Sequence, residues 1–258
     1  MTTSAELQQQ CELLRSLHRS DTPLLLPNVW DAATARAVVA AGYPVVATSS
    51  GGVAATLGYE DHEGAPGDEM LAAAGRIARA VDVPVSVDAE GGYRMEPADI
   101  VAALLAVGAA GCNLEDTDHR AGGLRDPGVH AEWLIAIREA ASAIDYPLVI
   151  NARIDVFIAP FMAGAGPEAY TELIPEATGR AKTYFDAGVD CVYPIGPWES
   201  DALRQFVTEV QGPVNVTRWP QGQSPAELAG LGVARVSWAT FLHLDAMARF
   251  EEQLGTLR

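Results

Sequence analysis

The amino-acid sequence predicts a (β/α)8 barrel, and three observations predict it. Short apolar runs rich in Val, Ile and Leu alternate with stretches of helical period, which is typical of a parallel sheet covered on its faces. The chain contains eight such runs, which is the strand number of this α/β barrel. No linker rich in Gly, Ser or Pro divides its 258 residues, so residues 1–258 are predicted to form one domain.

The strands are predicted from aliphatic and β-branched runs that end at polar or glycine-rich turns. They span 24–27, 45–49, 85–88, 111–114, 148–152, 191–194, 213–216 and 234–237. The helices are predicted from apolar residues that repeat every three or four positions. They span 32–41, 69–81, 97–107, 130–143, 168–187, 199–210 and 225–231, with an extra amphipathic helix at 5–17 and a last helix at 239–253.

One junction recurs between helix and strand. Four glycines each lie a few residues before a predicted strand: Gly42, Gly108, Gly188 and Gly232. A glycine at this place is expected to end the preceding helix in the left-handed conformation, which glycine adopts easily because it has no Cβ. Four copies of the same junction indicate one structural unit repeated along the chain.

The composition argues against several classes of protein. A net charge of −17 and a pI near 4.5 argue against nucleic acid or an anionic membrane surface as the main partner. Residues 1–20 lack the apolar region of a signal peptide, and the sequence has no apolar run of membrane-spanning length. Cys11, Cys112 and Cys191 are scattered, as expected of reduced thiols. The sequence therefore predicts a soluble, cytoplasmic protein.

Functional residues of such a barrel collect at the carboxyl ends of its strands. Four carboxylates are predicted to meet there: Asp88 and Glu90 after the third strand, and Glu115 and Asp116 after the fourth. Because these charges would repel one another, a divalent cation is their expected partner, and carboxylate oxygens without His or Cys nearby favour Mg²⁺ or Mn²⁺. The alternative is that each acid caps a helix or pairs with a basic residue.

Other residues of the same rim suit a small-molecule carboxylate substrate. Arg153 is the basic residue at a strand end, and its planar guanidinium suits a carboxylate or phosphoryl group; an ion pair with Asp155 or Asp88 is the alternative. The turn at 49–52, with sequence SSGG, offers backbone N–H groups to carboxylate oxygens. The remaining substrate-binding candidates are Trp30, Asp31 and Asn215.

Four segments together resemble the isocitrate lyase/phosphoenolpyruvate mutase superfamily: LPNVWDAATARAVVAAGYPVVATSSGG, VSVDAEGGY, GCNLED and NARIDVF. They occur in order through nearly the whole chain. The resemblance implies that Asp88 binds Mg²⁺ directly, and that Glu90 and Glu115 act through metal-bound waters. It also implies a barrel whose last helix is exchanged between the subunits of a dimer or tetramer.

The resemblance assigns further roles around the metal. Ser50, Gly51 and Gly52 match the turn that holds the substrate carboxylate, and Arg153 matches the arginine that stabilises the oxyanion. Asp61, in GYEDHEG, corresponds to a site residue of the mutase branch. The resemblance thus implies chemistry through a metal-stabilised enolate of an α-keto or α-hydroxy acid.

Departures from the superfamily pattern narrow the reaction. Isocitrate and methylisocitrate lyases carry a loop of the KKCGH type after strand four, where this chain reads EDTDHRAGGLRDPGVH. The lyases also place a glutamate where this chain has Ile195, and the lysine and asparagine of the mutase loop are absent. His119 and Arg120 are the evident replacements for an acid or base, and a solvated loop is the alternative.

Three functions remain open on the sequence. The first is an Mg²⁺-dependent carbon–carbon lyase, with oxaloacetate-type decarboxylation included. The second is a phosphonate P–C mutase or hydrolase, which Arg120 and Arg125 keep possible. The third is a non-catalytic protein that binds a keto acid. A homo-oligomer is expected in each case, because the last helix carries an apolar stripe that must be buried: Phe241, Leu242, Leu244, Met247 and Phe250.

Overall fold

A computed structural model describes residues 3–20 and 22–257, with the side chain of Pro167 left out. The strands in these residues are β1 Leu24–Leu26, β2 Asn28–Val29, β3 Val46–Thr48, β4 Val85–Asp88, β5 Gly111–Glu115, β6 Val149–Ile154, β7 Cys191–Pro194, β8 Asn215–Thr217 and β9 Arg235–Ser237. The helices are α1 Ala5–Leu17, α2 Ala32–Ala40, α3 Ser50–Leu57, α4 Gly67–Ala78, α5 Pro97–Val107, α6 Pro127–Ser142, α7 Ile158–Met162, α8 Pro167–Asp186, α9 Ser200–Val210, α10 Pro225–Gly230 and α11 Phe241–Thr256.

The strands form a ring, as the sequence predicts. Six of them pair in parallel in the order β2-β3-β4-β5-β6-β7, and three pair in the order β1-β9-β8. A parallel bridge between Val192 and Val214 joins the two sheets on one side. On the other side β1 runs into β2 through Pro27, whose missing N–H interrupts the ladder. The eight predicted strands and the barrel are therefore confirmed.

The predicted helix–glycine junctions are also confirmed. Gly42, Gly108, Gly188 and Gly232 all have a positive φ, between 79° and 90°. Two short helices were absent from the sequence prediction, α3 directly after β3 and α7 directly after β6. A glycine pair in α3 and the five-residue length of α7 conceal the helical period that the prediction depends on.

The helix α1 packs under the barrel, at the amino ends of the strands. Leu14 lies so close to Gly111 that a Cβ on the glycine would be 2.8 Å from the leucine Cδ2. Arg15 donates to the Asp190 carboxylate at 2.7 Å and to the carbonyl of Pro147 at 2.9 Å. This end of the barrel is thus covered, which leaves the carboxyl ends of the strands as the open mouth.

The C-terminal helix α11 has no buried residue in the single chain. Its exposed apolar side chains include Leu244, Met247, Phe250 and Leu254. The exchange of this helix between subunits stays a prediction. None of the helices in residues 3–20 and 22–257 has the length and hydropathy needed to cross a membrane.

Candidate active site

A cavity of about 300 Å³ opens at the carboxyl ends of the strands. Its walls come from many loops, as expected of a barrel whose site is built by the segments that follow the strands. The polar residues that line it are Asn28, Ser49, Ser50, Asp61, His62, Asp88, Asn113, Arg153, Ser237 and Thr240. The others are Ile158, Phe161, Met162, Tyr193, Ile195, Trp219, Ala239 and Phe241.

Asp88 ends β4 at the floor of this cavity. Its backbone N–H donates to Thr48 Oγ1 at 2.8 Å, and its Oδ2 accepts from the Ser50 amide at 3.3 Å. The second oxygen, Oδ1, is buried and has no hydrogen-bond partner. Burial raises the pKa of Asp88, although nearby Arg153 opposes the shift. A buried carboxylate with a free oxygen is costly unless a cation or a proton satisfies it.

Glu90 lies two residues further on, beyond the end of the strand. Its φ of +48° turns the chain, and its side chain is 2% exposed. Its Oε1 accepts from the Glu63 amide at 2.6 Å, while Oε2 is buried without a partner. Burial raises the pKa of Glu90 to about 7, and the charges of Asp88, Asp61 and Glu115 add to the shift. Glu90 therefore belongs to the same electrostatic cluster as Asp88.

Arg153 and Glu115 form an ion pair beside Asp88. The guanidinium Nη1 lies 2.6 Å from Glu115 Oε2, and Nε and Nη2 donate to the two oxygens of Asp155 at 2.6 and 3.0 Å. Burial raises the pKa of Glu115, although Arg153 opposes the shift. Since a guanidinium has five N–H donors and three are used here, Arg153 keeps two for a substrate.

Asp116 does not join this cluster, contrary to the sequence prediction. Successive residues of a strand face opposite sides, so Asp116 points away when Glu115 faces the mouth. Its Oδ2 accepts from Arg180 Nη1 at 3.0 Å and from the Tyr184 hydroxyl at 2.7 Å, and its Oδ1 accepts from the Asp155 amide at 2.9 Å. Asp116 is a structural acid that ties β5 and β6 to α8.

The SSGG turn forms the first turn of α3. Ser49 is the N-cap, and its Oγ accepts from the Gly52 amide at 3.3 Å. Gly51 lies against Asp61: a Cβ on this glycine would be 2.7 Å from Asp61 Oδ2 and 2.8 Å from Thr240 Oγ1. The structure thus brings the turn and Asp61 together at the cavity wall, at the positive end of a helix dipole.

Three predicted substrate-binding residues lie elsewhere. Trp30 and Asp31 line a separate cleft against α3 and α4. Asp31 is the N-cap of α2 and accepts from the Thr34 amide at 2.7 Å, and Trp30 packs edge-on against His243. Asn215 is fully buried within the barrel, where its Oδ1 accepts from the Ser237 hydroxyl at 3.3 Å. The structure does not bring any of the three into the cavity lining.

The loop after β5 folds into a tight turn. Thr117 and Leu124 form an antiparallel bridge, and the Asp118 carboxylate accepts from the amides of Arg120 and Ala121. His119 reaches back to Glu115, with Nε2 against Oε1. Partial burial by itself would lower the pKa of His119. The hydrogen bond to Glu115 and the charge of that carboxylate outweigh this effect, so the pKa of His119 is raised. His119 thus contacts the ion pair from outside the cavity.

The basic residues of this loop do not line the cavity. Arg120 is exposed. Arg125 donates to the Gly91 carbonyl at 3.1 Å and lies over the ring of Trp133, 5.3 Å from its centroid. Arg153 is the sole lysine or arginine among the lining residues that the structure describes.

Several lining residues escaped the sequence prediction. His62 follows Asp61 directly, and its ring lies 5.7 Å from that of His119. Tyr193, by contrast, is one of the polar strand-end residues that the barrel rule places at this rim; at the end of β7 it shares a hydrogen bond of 2.5 Å with Thr217 Oγ1. The aromatic residues Phe161, Trp219 and Phe241 gave no sequence signal, because an apolar side chain on a helix or loop is usually part of a core.

The donor set of the mouth fits a hard divalent cation. Asp88 and Glu90 each have one buried oxygen without a partner, and both groups are carboxylates. Within the described part of the chain, no three His, Cys, Asp or Glu side chains come together as a ready coordination shell. Mg²⁺ is consistent with both the unpaired carboxylate oxygens and the lack of a complete protein shell, because it retains several waters and needs only one or two protein carboxylates.

Comparisons with known proteins agree with this architecture. The sequence profile of the family described as phosphoenolpyruvate phosphomutase matches residues 14–258. A Corynebacterium glutamicum protein named "Probable 2-methylisocitrate lyase 2" is 32% identical over 244 residues, covering 90% of this chain and 75% of the relative. The crystal structure of a "putative phosphonomutase" from Burkholderia cenocepacia J2315 is 38% identical, with a TM-score of 0.89 and coverage of 96% and 99%.

More distant structures show the same fold. The structure of oxaloacetate acetylhydrolase with bound oxalate has a TM-score of 0.83 at 21% identity, covering 97% of this chain and 87% of that one. At this identity the match concerns the fold alone. Because the family profile covers nearly the whole chain and the relatives are named lyases and mutases, the chain belongs to the phosphoenolpyruvate phosphomutase family of the isocitrate lyase/phosphoenolpyruvate mutase superfamily of enzymes.

Proposed function

We propose that this protein is an Mg²⁺-dependent carbon–carbon lyase that acts on an α-keto or α-hydroxy acid through an enolate. The observation that carries the proposal is the pair of buried carboxylates, Asp88 and Glu90, whose free oxygens lie beside the Arg153–Glu115 ion pair. Four carboxyl groups (Asp88, Glu90, Glu115 and Asp155) and one guanidinium share this region. The excess of negative charge favours a bound cation.

Different residues of the chain have different roles in such a reaction. The first turn of α3 presents the Gly51 backbone N–H for the substrate carboxylate, since the amides of Ser50 and Gly52 already donate to Asp88 Oδ2 and Ser49 Oγ. The two free donors of Arg153 are available to the oxygen that becomes negative, where a preorganised donor stabilises the transition state. When Mg²⁺ is bound, it adds positive charge for the same oxygen. Asp61, beside Gly51, is the proposed base of the site.

Decarboxylation of an oxaloacetate-type acid illustrates the chemistry. The C3–C4 bond breaks, its electron pair moves into the enolate on C2 and C3, and CO₂ leaves. A proton from solvent then adds to C3 and gives the 2-oxo acid. Because solvent can supply this proton, the reaction makes little demand on a dedicated acid.

Isocitrate and 2-methylisocitrate are expected to be poor substrates. Their cleavage leaves a carbanion that needs a positioned proton donor. The cysteines of the described chain, Cys11, Cys112 and Cys191, are all fully buried, and burial raises the pKa of each to about 12. None of them reaches the loop after β5, so none can act as the acid.

A phosphonate P–C mutase or hydrolase is the second candidate. The 38% identity to the structure named a phosphonomutase favours it. One observation argues against it. A phosphonate dianion carries two negative charges, and among the described lining residues Arg153 is the lysine or arginine that could bind it, since Arg120 and Arg125 do not line the cavity. A third possibility, a keto-acid-binding protein without turnover, predicts tight binding and no product.

The test is a panel of α-keto, α-hydroxy and phosphono acids followed by NMR, with Mg²⁺, with Mn²⁺ and after chelation. We expect turnover of an oxaloacetate-type acid that chelation abolishes and Mg²⁺ restores. Asp88→Asn should lower kcat at least about 10³-fold, since the variant loses the charge that holds the cation. Full activity in the chelated enzyme or in Asp88→Asn contradicts the metal assignment.

The same panel separates the candidates. Fast cleavage of 2-methylisocitrate contradicts the role given to the cysteine-free loop. Turnover of phosphonopyruvate alone supports the phosphonate reaction. As a matched control for Asp88→Asn, Asp126→Asn removes a carboxylate that caps α6 outside the cavity, and it should keep full activity.

A further inference from the structure

The cavity has two chemically different sides. One side holds the carboxylates, Arg153 and the α3 turn. The rest of the lining is mainly apolar and is built by four segments far apart in the sequence: α7, the residue after β7, the loop after β8, and the start of α11. The apolar side chains that face the cavity there are Ile158, Phe161, Met162, Ile195, Trp219 and Phe241. The start of α11 adjoins the α3 turn, with Thr240 Oγ1 3.1 Å from Ser49 Oγ.

Three aromatic rings form the centre of this apolar wall. The centroids of Phe161 and Trp219 are 4.9 Å apart, and those of Trp219 and Phe241 are 5.1 Å apart. Both pairs are tilted, by 54° and 59°, in the range of favourable aromatic contacts. The Trp219 indole N–H donates to the Gly196 carbonyl at 2.8 Å, so the polar atom of the ring is satisfied by the protein.

Among the described residues, no lysine or arginine lines the apolar wall to receive a second anion; Arg218, next to Trp219, has a buried Nη1 without a partner but does not line the cavity. Of the lining residues that the structure places, only Arg153 is a lysine or arginine, and it lies on the polar side within its ion pairs. Phe161 lines the cavity and is 39% exposed, so part of its ring is not covered by the rest of the chain. A carboxylate pressed against this surface would lose water and gain no partner.

We propose that the substrate carries an apolar alkyl or aryl group opposite its 2-oxo or 2-hydroxy carboxylate head, and that this group packs against Phe161, Trp219 and Phe241. The proposal rests on the proposed function, since it takes the polar side of the cavity as the site of the head. It adds that the tail itself carries no charge, so a carboxylate at the end of the tail, such as C5 of 2-oxoglutarate, is rejected. The C4 carboxylate that an oxaloacetate-type acid loses as CO₂ is not part of this tail and stays on the polar side.

The experiment measures the affinities of the Mg²⁺-loaded protein for pyruvate, 2-oxobutyrate, 2-oxopentanoate and 2-oxohexanoate by calorimetry. We expect the affinity to rise about fourfold for each added methylene, the factor that corresponds to burying one CH₂. A matched pair tests the charge: 2-oxoglutarate has the carbon count of 2-oxopentanoate and should bind at least about tenfold more weakly. Equal affinities along the series, or tighter binding of 2-oxoglutarate, overturn the proposal.

Variants of the wall assign the effect to its residues. Phe161→Ala and Trp219→Ala should flatten the chain-length series, so that the gain in affinity per added methylene falls from about fourfold toward none; Phe161, on the surface of α7, is the safer of the two for folding. Ile195→Lys should raise the affinity for 2-oxoglutarate at least about tenfold, because it adds a cation to the wall. Leu13→Ala, an exposed position on α1 at the opposite end of the barrel, is the control and should change nothing.

Three further results would overturn this proposal, and the first two show whether the proposed function falls with it. If no 2-oxo acid binds, pyruvate included, the polar head site is wrong and both proposals fall. If pyruvate binds through the polar side but the series is flat, the wall assignment alone falls. If the wall variants change only the sedimentation of the protein, the apolar wall contacts a second copy of the chain, and the substrate proposal is overturned.

Discussion

At the scale of single residues, the site depends on how Arg153 is held. Its guanidinium makes a bidentate pair with Asp155 and a single contact with Glu115, and Asp155 in turn accepts from Thr117 Oγ1 at 2.6 Å. A planar fork fixed at three points keeps its remaining donors in one direction. A lysine ammonium has no such plane and could keep only part of this network.

We therefore expect Arg153→Lys to lower kcat about 10²-fold or more, while the protein stays folded. Steady-state kinetics on the substrate identified by the panel, together with circular dichroism, check this. Arg36→Lys, at an exposed position on α2, is the matched control and should keep kcat within about twofold. An Arg153→Lys enzyme with normal kcat would mean that Arg153 serves only the ion pairs.

A second residue makes stability depend on pH. His130 is fully buried between Trp133 and Tyr184, and neither ring nitrogen has a hydrogen-bond partner. Burial, helped by Arg125 and Arg180, lowers the pKa of His130 to about 3. In the unfolded chain the same pKa is about 6.5. Below a pH of about 6.5 the imidazole binds a proton in the unfolded state but not in the folded state. The free energy of unfolding therefore falls as the pH falls from about 6.5 toward 3.

We expect His130→Phe to remove this contribution. One proton is worth about 1.4 kcal/mol per pH unit, so the free energy of unfolding of the wild type should lose about 2 kcal/mol more than that of the variant between pH 6.5 and 5. Urea unfolding at both pH values measures this difference. Val129→Phe, at an exposed position next to His130 on α6, changes no titratable group and should leave the pH dependence as it is in the wild type. Identical slopes for wild type and His130→Phe would contradict the assignment.

At the scale of elements, α3 connects the SSGG turn at 49–52 to the cavity wall. Gly51 faces Asp61 and Thr240, and Gly52 faces Trp30, whose Cβ would lie 3.1 Å from an added Cβ. The close approach leaves no room for side chains at these two positions. Around Gly58, at the other end of the helix, an added Cβ would meet nothing within 4 Å, and only its φ of +88° favours glycine there.

We expect Gly51→Ala to lower kcat/KM at least about tenfold, because the new methyl would displace the Asp61 carboxylate or the Thr240 hydroxyl. Ala54→Gly, a change of the same size on the buried face of α3, is the control for any loss of helix stability. Kinetics and thermal unfolding on both variants separate the two effects. A Gly51→Ala enzyme with full kcat/KM would exclude the turn from substrate binding.

The elements also show which parts of the site were predictable. Period-two alternation and the barrel rule place Asp88, Glu115 and Arg153 at one rim from the sequence alone. The same alternation argues against Asp116, since consecutive strand residues face opposite sides. Glu90 reaches the cluster only because its backbone is in the left-handed conformation, with a φ of +48°. No hydrophobic pattern in the sequence predicts this conformation. The aromatic wall unites α7, the β8 loop and α11, and local periodicity cannot report contacts between such distant segments.

At the scale of the whole molecule, α11 is the helix whose apolar side chains the single chain leaves exposed. Leu244, Met247, Phe250 and Leu254 are 42–56% exposed, and their spacings of three and four residues put them on one face of the helix. Soluble monomers rarely expose an apolar surface of this extent. A second copy of the chain is the partner that the superfamily resemblance implies.

We predict that the protein is a dimer or tetramer held together by this face of α11. Light scattering and sedimentation at micromolar concentration should show a stable oligomer. Phe250→Glu should dissociate it or weaken it at least about 10²-fold, because a buried unpaired carboxylate in an apolar interface is costly. Arg249→Glu lies on the opposite face, where Arg249 is 74% exposed, and should leave the oligomer intact.

Since the start of α11 also lines the cavity through Phe241, dissociation of the oligomer should lower the enzymatic activity as well as the size of the particle. A wild-type protein that stays monomeric at micromolar concentration would contradict the exchange of this helix.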